Sequence, residues 1–264
     1  VKQSTCQAYV AYRTAQPIRQ ARKSANPKLV SKETARRELT VLRAAINAYH
    51  AETPLDALPV VTLPESSPPR PHWLRRDDVA RLLRAARGLE DRDAGAALAR
   101  FILISLYTGT RSGATRRLAW MPSTIGGHVD LKAGVIHRRG ADEAETKKRR
   151  PPIRIPARLA GFLERCRKAD MKREKPVAYV IHYRGAPVDK QRRSWAAARE
   201  KAGLSAEITP HVLRHTAATW MMQAGVDLWD AASYLGMSTA MLEDVYGHHH
   251  PDFQKEIAGR IGRK

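Results

Sequence analysis

ITPHVLRHTAATWMMQAG, residues 208–225, sets a histidine and an arginine three positions apart beside a helix start. Thr209 is a natural N-cap, Pro210 suits the first turn and Gly225 suits the C-terminal cap, so the spacing predicts a helix between them. His211 and Arg214 then project from one face near the positive end of the helix dipole, and His215 neighbours both. A proton carrier, a cation and a helix N-terminus together suit a phosphate. Taken alone, such a pair is most often an ordinary surface or capping feature.

Downstream, VDLWDAASYLGMSTAMLEDVYGHHH (226–250) reads as two short helices, with Asp227 and Ser238 as caps and Gly236 as the break. Tyr246 falls in the last turn with Gly247 as the exit, so its hydroxyl is expected to be presented rather than buried. On position alone, a tyrosine at helical spacing is more often core than nucleophile. His248, His249 and His250 are consecutive and share no helix face, which argues against a metal cluster. Upstream, YTGTRSGATRRLAW (107–120) predicts a turn at Thr108, Gly109 and Thr110 before a short helix, with Arg111 at its start. An arginine held there offers a planar fork to two phosphate oxygens. In ETKKRRPPIRIP (145–156), Lys147 and Lys148 stand where a polar turn enters a strand.

The rest of the chain supplies the frame. A proline-rich stretch, LPVVTLPESSPPRPHW (58–73), denies helix and favours an extended tether. Before it, SKETARRELTVLRAAINAYHAE (31–52) predicts a helix with Leu39, Leu42, Ala45, Ile46 and Tyr49 on one face. After it, RDDVARLLRAARG (76–88) predicts a helix capped by Asp77, with Val79, Leu82, Leu83 and Ala86 buried, and another helix runs through 94–107. Short strands are expected at 134–139, 150–156 and 177–185, and helices at 157–169 and 190–203. The fold class is therefore mostly α with a small antiparallel β-sheet. The expected divisions are a helical domain over 1–62, a linker over 63–72 and a second domain over 73–264.

The 264 residues are 43% hydrophobic and 28% charged, with a formal net charge of +21, so a packed fold with a polyanionic partner is expected, nucleic acid first. Only Cys6 and Cys166 are present, which excludes a disulfide framework and favours a reducing cytosol. The most apolar stretch (94–107) is broken by Arg100 and is too short to span a bilayer, and no signal peptide is apparent.

The order of these signals is more specific than any one of them. TGTR, TKKRR, HVLRHTAAT, LGMS and VYGH, met in that order, resemble the catalytic domain of tyrosine recombinases, the phage integrases, over roughly residues 73–253. The preceding helical region is similar to that family's core-binding domain in architecture only. The resemblance implies a two-domain DNA-breaking-rejoining fold and a bacterial or phage-encoded enzyme that cuts and rejoins double-stranded DNA at a specific site. It implies a covalent 3′-phosphotyrosyl intermediate, no metal and no ATP, and a homotetramer on DNA held as in a C-shaped clamp. By the same resemblance Tyr246 is the nucleophile, Arg111 and Arg214 clamp the scissile phosphate, and His211 transfers a proton or contacts the phosphate. The lysine that protonates the leaving 5′ oxygen is Lys147 or Lys148; the spacing to Pro156 favours Lys148, but the Thr-Lys pairing favours Lys147, which is taken as the catalytic lysine with Lys148 as an auxiliary. The last segment, PDFQKEIAGRIGRK, is expected to pack on a neighbouring subunit.

Two departures stand out. Where the family has His or Trp after Leu-Gly, this chain has Met237, which donates no hydrogen bond. Loss of one such donor costs about 10²–10³ in rate, unless His248 or another group substitutes. Gly113 and Ala114 also replace the acidic text that often follows the first arginine. The alternative reading is a catalytically weakened homologue that acts as a DNA-binding protein or regulator. A type IB topoisomerase shares the chemistry, but the compact H-x-L-R-H-T text favours the recombinase.

Overall fold

The computed structural model describes residues 1–18, 26–66, 72–146, 149–251 and 253, which separate into two compact units, Val1–Arg70 and Pro71–Lys264. The first unit packs α1 (Gln3–Thr14) on α2 (Lys32–Glu52). Ser31 caps α2 by accepting a hydrogen bond from the Thr34 amide at 3.3 Å. Leu39 of α2, Cys6 of α1 and Val61 form a small core, with Tyr9, Val10, Ile46 and Leu63 around it. Glu38 ties the helices together, accepting from Arg13 and from the Tyr9 hydroxyl at 2.8 Å. The expected apolar face is only half used, because Leu42 and Tyr49 are 42% and 55% exposed and Ala45 is exposed too. The reason is length: α1 has 12 residues against 21 in α2, so the later turns of α2 run past their cover.

In the second unit α4 (Arg92–Thr108) is the central rod. It is apolar nearly all round and buries residues from Gly95 to Thr108, as a helix surrounded by others must. Against it lie α3 (Arg76–Arg87), α7 (Arg192–Lys201) and α8 (Val212–Gln223). Asp91 caps α4 through the Ala94 amide at 3.0 Å, and Gly109 ends it at φ +59°. A Cβ on Gly109 would also meet Leu235 Cδ2 at 2.2 Å, so both backbone and packing require glycine there. The predicted cap of α3 shifts: the helix starts at Arg76, and Asp78 rather than Asp77 closes the turn, accepting from the Arg75 amide at 3.0 Å.

The strands are short. β1 (His128–Asp130), β2 (Val135–His137) and β3 (Ile153–Arg154) form one antiparallel sheet, in register Val129 to Ile136 and Ile136 to Ile153. Alternation turns those three residues into the core. β4 (His182–Tyr183) and β5 (Ala186–Pro187) form a hairpin whose turn uses Arg184 and Gly185 at φ +50° and +90°. The strand expected over 177–185 is thus mostly not in a ladder; Ala178 and Val180 instead exchange single bonds with Trp120 and Leu118. The helical segments α5 (Ser112–Arg116), α6 (Ala157–Met171), α9 (Leu228–Leu235) and α10 (Thr239–Tyr246) complete a mostly α fold with small antiparallel sheets. Among the described residues no helix is long and apolar enough to cross a membrane.

One buried charge pair locks the centre. Asp170, fully buried, accepts from Arg100 Nη1 and Nη2 at 2.7 and 2.9 Å, from Trp120 Nε1 at 2.9 Å and from His182 Nε2 at 3.0 Å. The Gly185 amide donates to His182 Nδ1 at 3.2 Å, so the ring proton sits on Nε2 and points at the carboxylate. Burial alone would push the Asp170 carboxyl up, but the hydrogen bonds from His182, Arg100 and Trp120 hold it well below the usual carboxylate range. A pKa depressed below its unfolded value of about 3.9 gives stability that is present above that pH and is lost as pH falls through the folded value. Asp170→Asn leaves Arg100 buried without a counter-charge and is expected to cost about 3–5 kcal/mol in urea unfolding at neutral pH. The gap to the wild type should narrow as pH drops below about 4.

Candidate active site

The turn at Gly109 delivers Thr110 and then Arg111, the N-cap of α5, to the mouth of a cleft. Arg111 Nη1 donates to the Arg149 carbonyl at 2.8 Å and Nη2 to the Gly236 carbonyl at 3.4 Å. Gly236, at φ +65°, ends α9, and a Cβ there would lie 2.7 Å from the Arg149 oxygen and 2.9 Å from Pro151 Cδ. Only glycine lets the segment at 149–151 come this close. In the first turn of α8, Arg214 Nη1 donates to the Gly109 carbonyl at 2.7 Å. Arg138, just after β2, donates to the carbonyls of Pro151 at 2.7 Å and Tyr234 at 2.8 Å.

These arginines are held by main-chain oxygens, and among the described residues none of them forms a salt bridge with a carboxylate. Burial first, then the charges of Arg111 and Arg138, lower the Arg214 guanidinium to about 10. Arg138 is likewise lowered to about 10, by burial and then by Arg111 among its neighbours. Arg111 is lowered by burial and by Arg150. Buried like charges without a carboxylate partner among the described residues would suit an anion.

Histidines and the tyrosine sit beside that cluster. His211, the N-cap of α8, is exposed, and its ring meets His215 edge-on at 4.8 Å. Partial desolvation, then Arg214 and Arg111, lower its pKa. His215 Nδ1 is hydrogen-bonded to the Tyr246 hydroxyl, with ring centroids 5.9 Å apart. Burial, then His211 and Arg214, lower His215 to about 4, so the ring is neutral at physiological pH. Burial raises the Tyr246 phenol, partly opposed by the charge of Arg214.

Tyr246 corrects one expectation. It is 6% exposed and packs in a cluster with Ala217, Ala218, Met222 and Leu242. Gly247 does not release the helix end; it stays at φ −55° and ψ −36° and the chain continues in a 3-10 turn over Gly247–His249. The phenol is therefore covered in the free chain.

Met237 is half-buried against the same cluster and lines a cavity of about 590 Å³ that also meets Arg138, Arg149 and Arg150. His248 is exposed and lies 4.0 Å from His249, ring centroid to centroid, while His249 sits edge-on to Trp73 at 5.8 Å. Lys147 and Lys148 lie outside the described residues, as does the final segment apart from Pro251 and Phe253. The site thus brings Arg111, His211, Arg214 and Tyr246 into one region. It adds Arg138, which nothing in HRRG distinguishes from its neighbours, and His215, whose i,i+4 spacing from His211 was the available signal.

A family model described as the phage integrase family matches residues 72–252, and the chain belongs to that family. Among curated relatives, tyrosine recombinase XerA of Thermococcus kodakarensis is 28% identical over 216 residues, covering 80% of this chain and 70% of the relative. XerD of Corynebacterium glutamicum is 33% identical over 99 residues, covering 36% of this chain and 32% of its own length. XerC of Halalkalibacterium halodurans is 32% identical over 143 residues, covering 47% and 46%. The chain thus spans about a third to a half of the length of these last two relatives. The fold is shared with the Tn1549 transposon integrase, solved in complex with transposon right end DNA (TM-score 0.70, 17% identity, 100% of this chain and 86% of that one). It is also shared with XerH site-specific recombinase in a pre-cleavage complex with difH substrate (TM-score 0.61, 16% identity, 100% and 71%).

Gly236→Ala forces a side chain into a left-handed position and against the Arg149 carbonyl. It is expected to cost about 1–3 kcal/mol in urea unfolding, and to displace Arg111 from its seat in a crystal structure of the variant.

Proposed function

We propose that the chain is a site-specific DNA recombinase that cleaves and rejoins strands through a covalent 3′-phosphotyrosyl intermediate on Tyr246. The observation that carries this reading is the set of desolvated arginines, Arg111, Arg214 and Arg138, gathered beside a phenol without a neutralising carboxylate among the described residues. A phosphodiester anion supplies the missing charge. Arg111 and Arg214 would grip its non-bridging oxygens and stabilise the five-coordinate phosphorus, and His211 would contact the same group. Tyr246 Oη bonds to phosphorus as the P–O5′ bond breaks; the phenol gives up its proton and the leaving oxygen gains one, from Lys147 or Lys148. The new ester retains the bond energy, so the reverse attack by a 5′ hydroxyl rejoins the strand without ATP.

The substrate class follows from the net charge of +21, whose lysines and arginines release counterions from a DNA backbone. The Tn1549 and XerH neighbours, solved with DNA, support the same partner, and a homotetramer on two sites is the assembly the family suggests. Because the phenol is covered in the free chain, this reading requires DNA binding to shift the end of α10 and bring the hydroxyl to the phosphate.

Nicked duplexes of randomised sequence, incubated with the protein and denatured in SDS, test it. An SDS-resistant adduct is expected with wild type and none with Tyr246→Phe. Arg214→Ala should slow adduct formation by about 10²–10³-fold. DNA binding without an adduct in wild type would leave the chain a DNA-binding homologue instead.

A further inference from the structure

We propose that His215 is a catalytic residue, the group that takes the phenol proton from Tyr246 in strand cleavage and returns it in rejoining. This rests on the recombinase reading above and assigns its one unassigned proton. Among the described residues, His215 Nδ1 is the hydrogen-bond partner of the Tyr246 hydroxyl, the atom that reacts. His211 lies beside it, ring to ring with His215 at 4.8 Å, but makes no such bond among the described contacts.

The placement follows from helix geometry. Arg214 and His215 are consecutive in the first turns of α8, so their side chains diverge by about 100°. Arg214 reaches the Gly109 carbonyl, on the Arg111 side, while His215 reaches α10. One rigid turn therefore holds both a phosphate-binding arginine and the partner of the nucleophile. Rigid first-turn placement suits a proton acceptor, which must lie within hydrogen-bond reach of the proton it takes.

The step balances without a further reagent. The Tyr246 O–H proton moves to His215 Nδ1, the Oη–P bond forms and the P–O5′ bond breaks, with the leaving oxygen protonated by the lysine of the hairpin. His215 becomes an imidazolium, and rejoining reverses each transfer. In the free chain burial first, and then the fields of the neighbouring His211 and of Arg214, oppose that imidazolium, so His215 is neutral there. A phosphodiester seated between Arg111 and Arg214 cancels much of this field. His215 then gains base strength only when the substrate is in place, so proton removal is tied to occupancy.

The test uses the full chain and any nicked duplex recovered as a wild-type adduct from the randomised pool. His215→Ala and His215→Gln are expected to slow adduct formation by about 10²–10⁴-fold with DNA affinity kept. Added imidazole should restore part of the rate to His215→Ala. A duplex with sulfur at the bridging 5′ position, whose leaving group needs no proton, should not restore it. Cleavage by His215→Ala at the wild-type rate overturns the proposal. So does rescue by the sulfur substrate, which would assign His215 to the leaving group. ¹⁵N-histidine spectra of free protein test the assignment independently of activity, and the wild-type tautomer does so independently of how the variants fold. Nδ1 of His215 should be an unprotonated acceptor whose resonance moves in Tyr246→Phe; an Nδ1–H tautomer overturns the assignment. Absence of any adduct from wild type, with the expected spectra, would instead strike the recombinase reading.

Discussion

The site depends on cations that are buried without a counter-charge. Burial lowers the guanidinium groups of Arg111, Arg138 and Arg214, and the charge of Arg111 lowers the other two further, with oxygens of the main chain as their acceptors. Such an arrangement costs free energy in the folded chain, because guanidinium groups lose water without gaining counter-charge. It persists because the surrounding fold over-determines it. The end of α4, the end of α9 and the segment at 149–151 meet through Gly109 and Gly236, and each contributes a carbonyl where the cations need one. Arg100 makes the contrast. It is also buried, but it lies against Asp170, and its role is to fasten α4 to α6 and the β4 hairpin.

The charge problem and the covered phenol are linked. Tyr246 is buried on α8, whose first turns also carry Arg214 and His215. Under the recombinase reading, a movement of α10 that frees the hydroxyl would therefore take place beside the helix that would bind the anion. Phosphate binding, proton removal and exposure of the nucleophile would then share one element. Met237 belongs to the same packing: it rests on the cluster around Tyr246, so its apolar side chain has a structural use even though it offers the phosphate no donor.

Much of the frame was legible in the sequence because its signals are local. Asp227 and Ser238 cap α9 and α10 with their own side chains, and Gly236 ends α9 in the left-handed conformation that glycine favours. Arg111 was placed correctly at a helix start because a Thr-Gly-Thr turn precedes it. What escaped depends on distant contacts. β1 has three residues, and although Gly126 and Gly127 before it and Gly134 after it punctuate the chain, so short a segment is a strand only because β2 lies alongside. Gly247 reads as an exit, yet its conformation is set by the packing of Leu242 and Tyr246, which keeps the helix winding. Arg138 was invisible for another reason: in a chain of net charge +21, an arginine carries no sign of whether it is buried.

The use of backbone carbonyls as arginine acceptors has an evolutionary consequence. Every residue type has a carbonyl, so the seat of Arg111 at position 149 does not depend on the exposed arginine side chain found there. Drift at that position can alter what the protein presents along the rim of the cleft while the cation stays anchored. Under the recombinase reading, retargeting to new sequences would proceed by surface exchange around an unchanged electrostatic centre, as long as the glycine at 236 is kept.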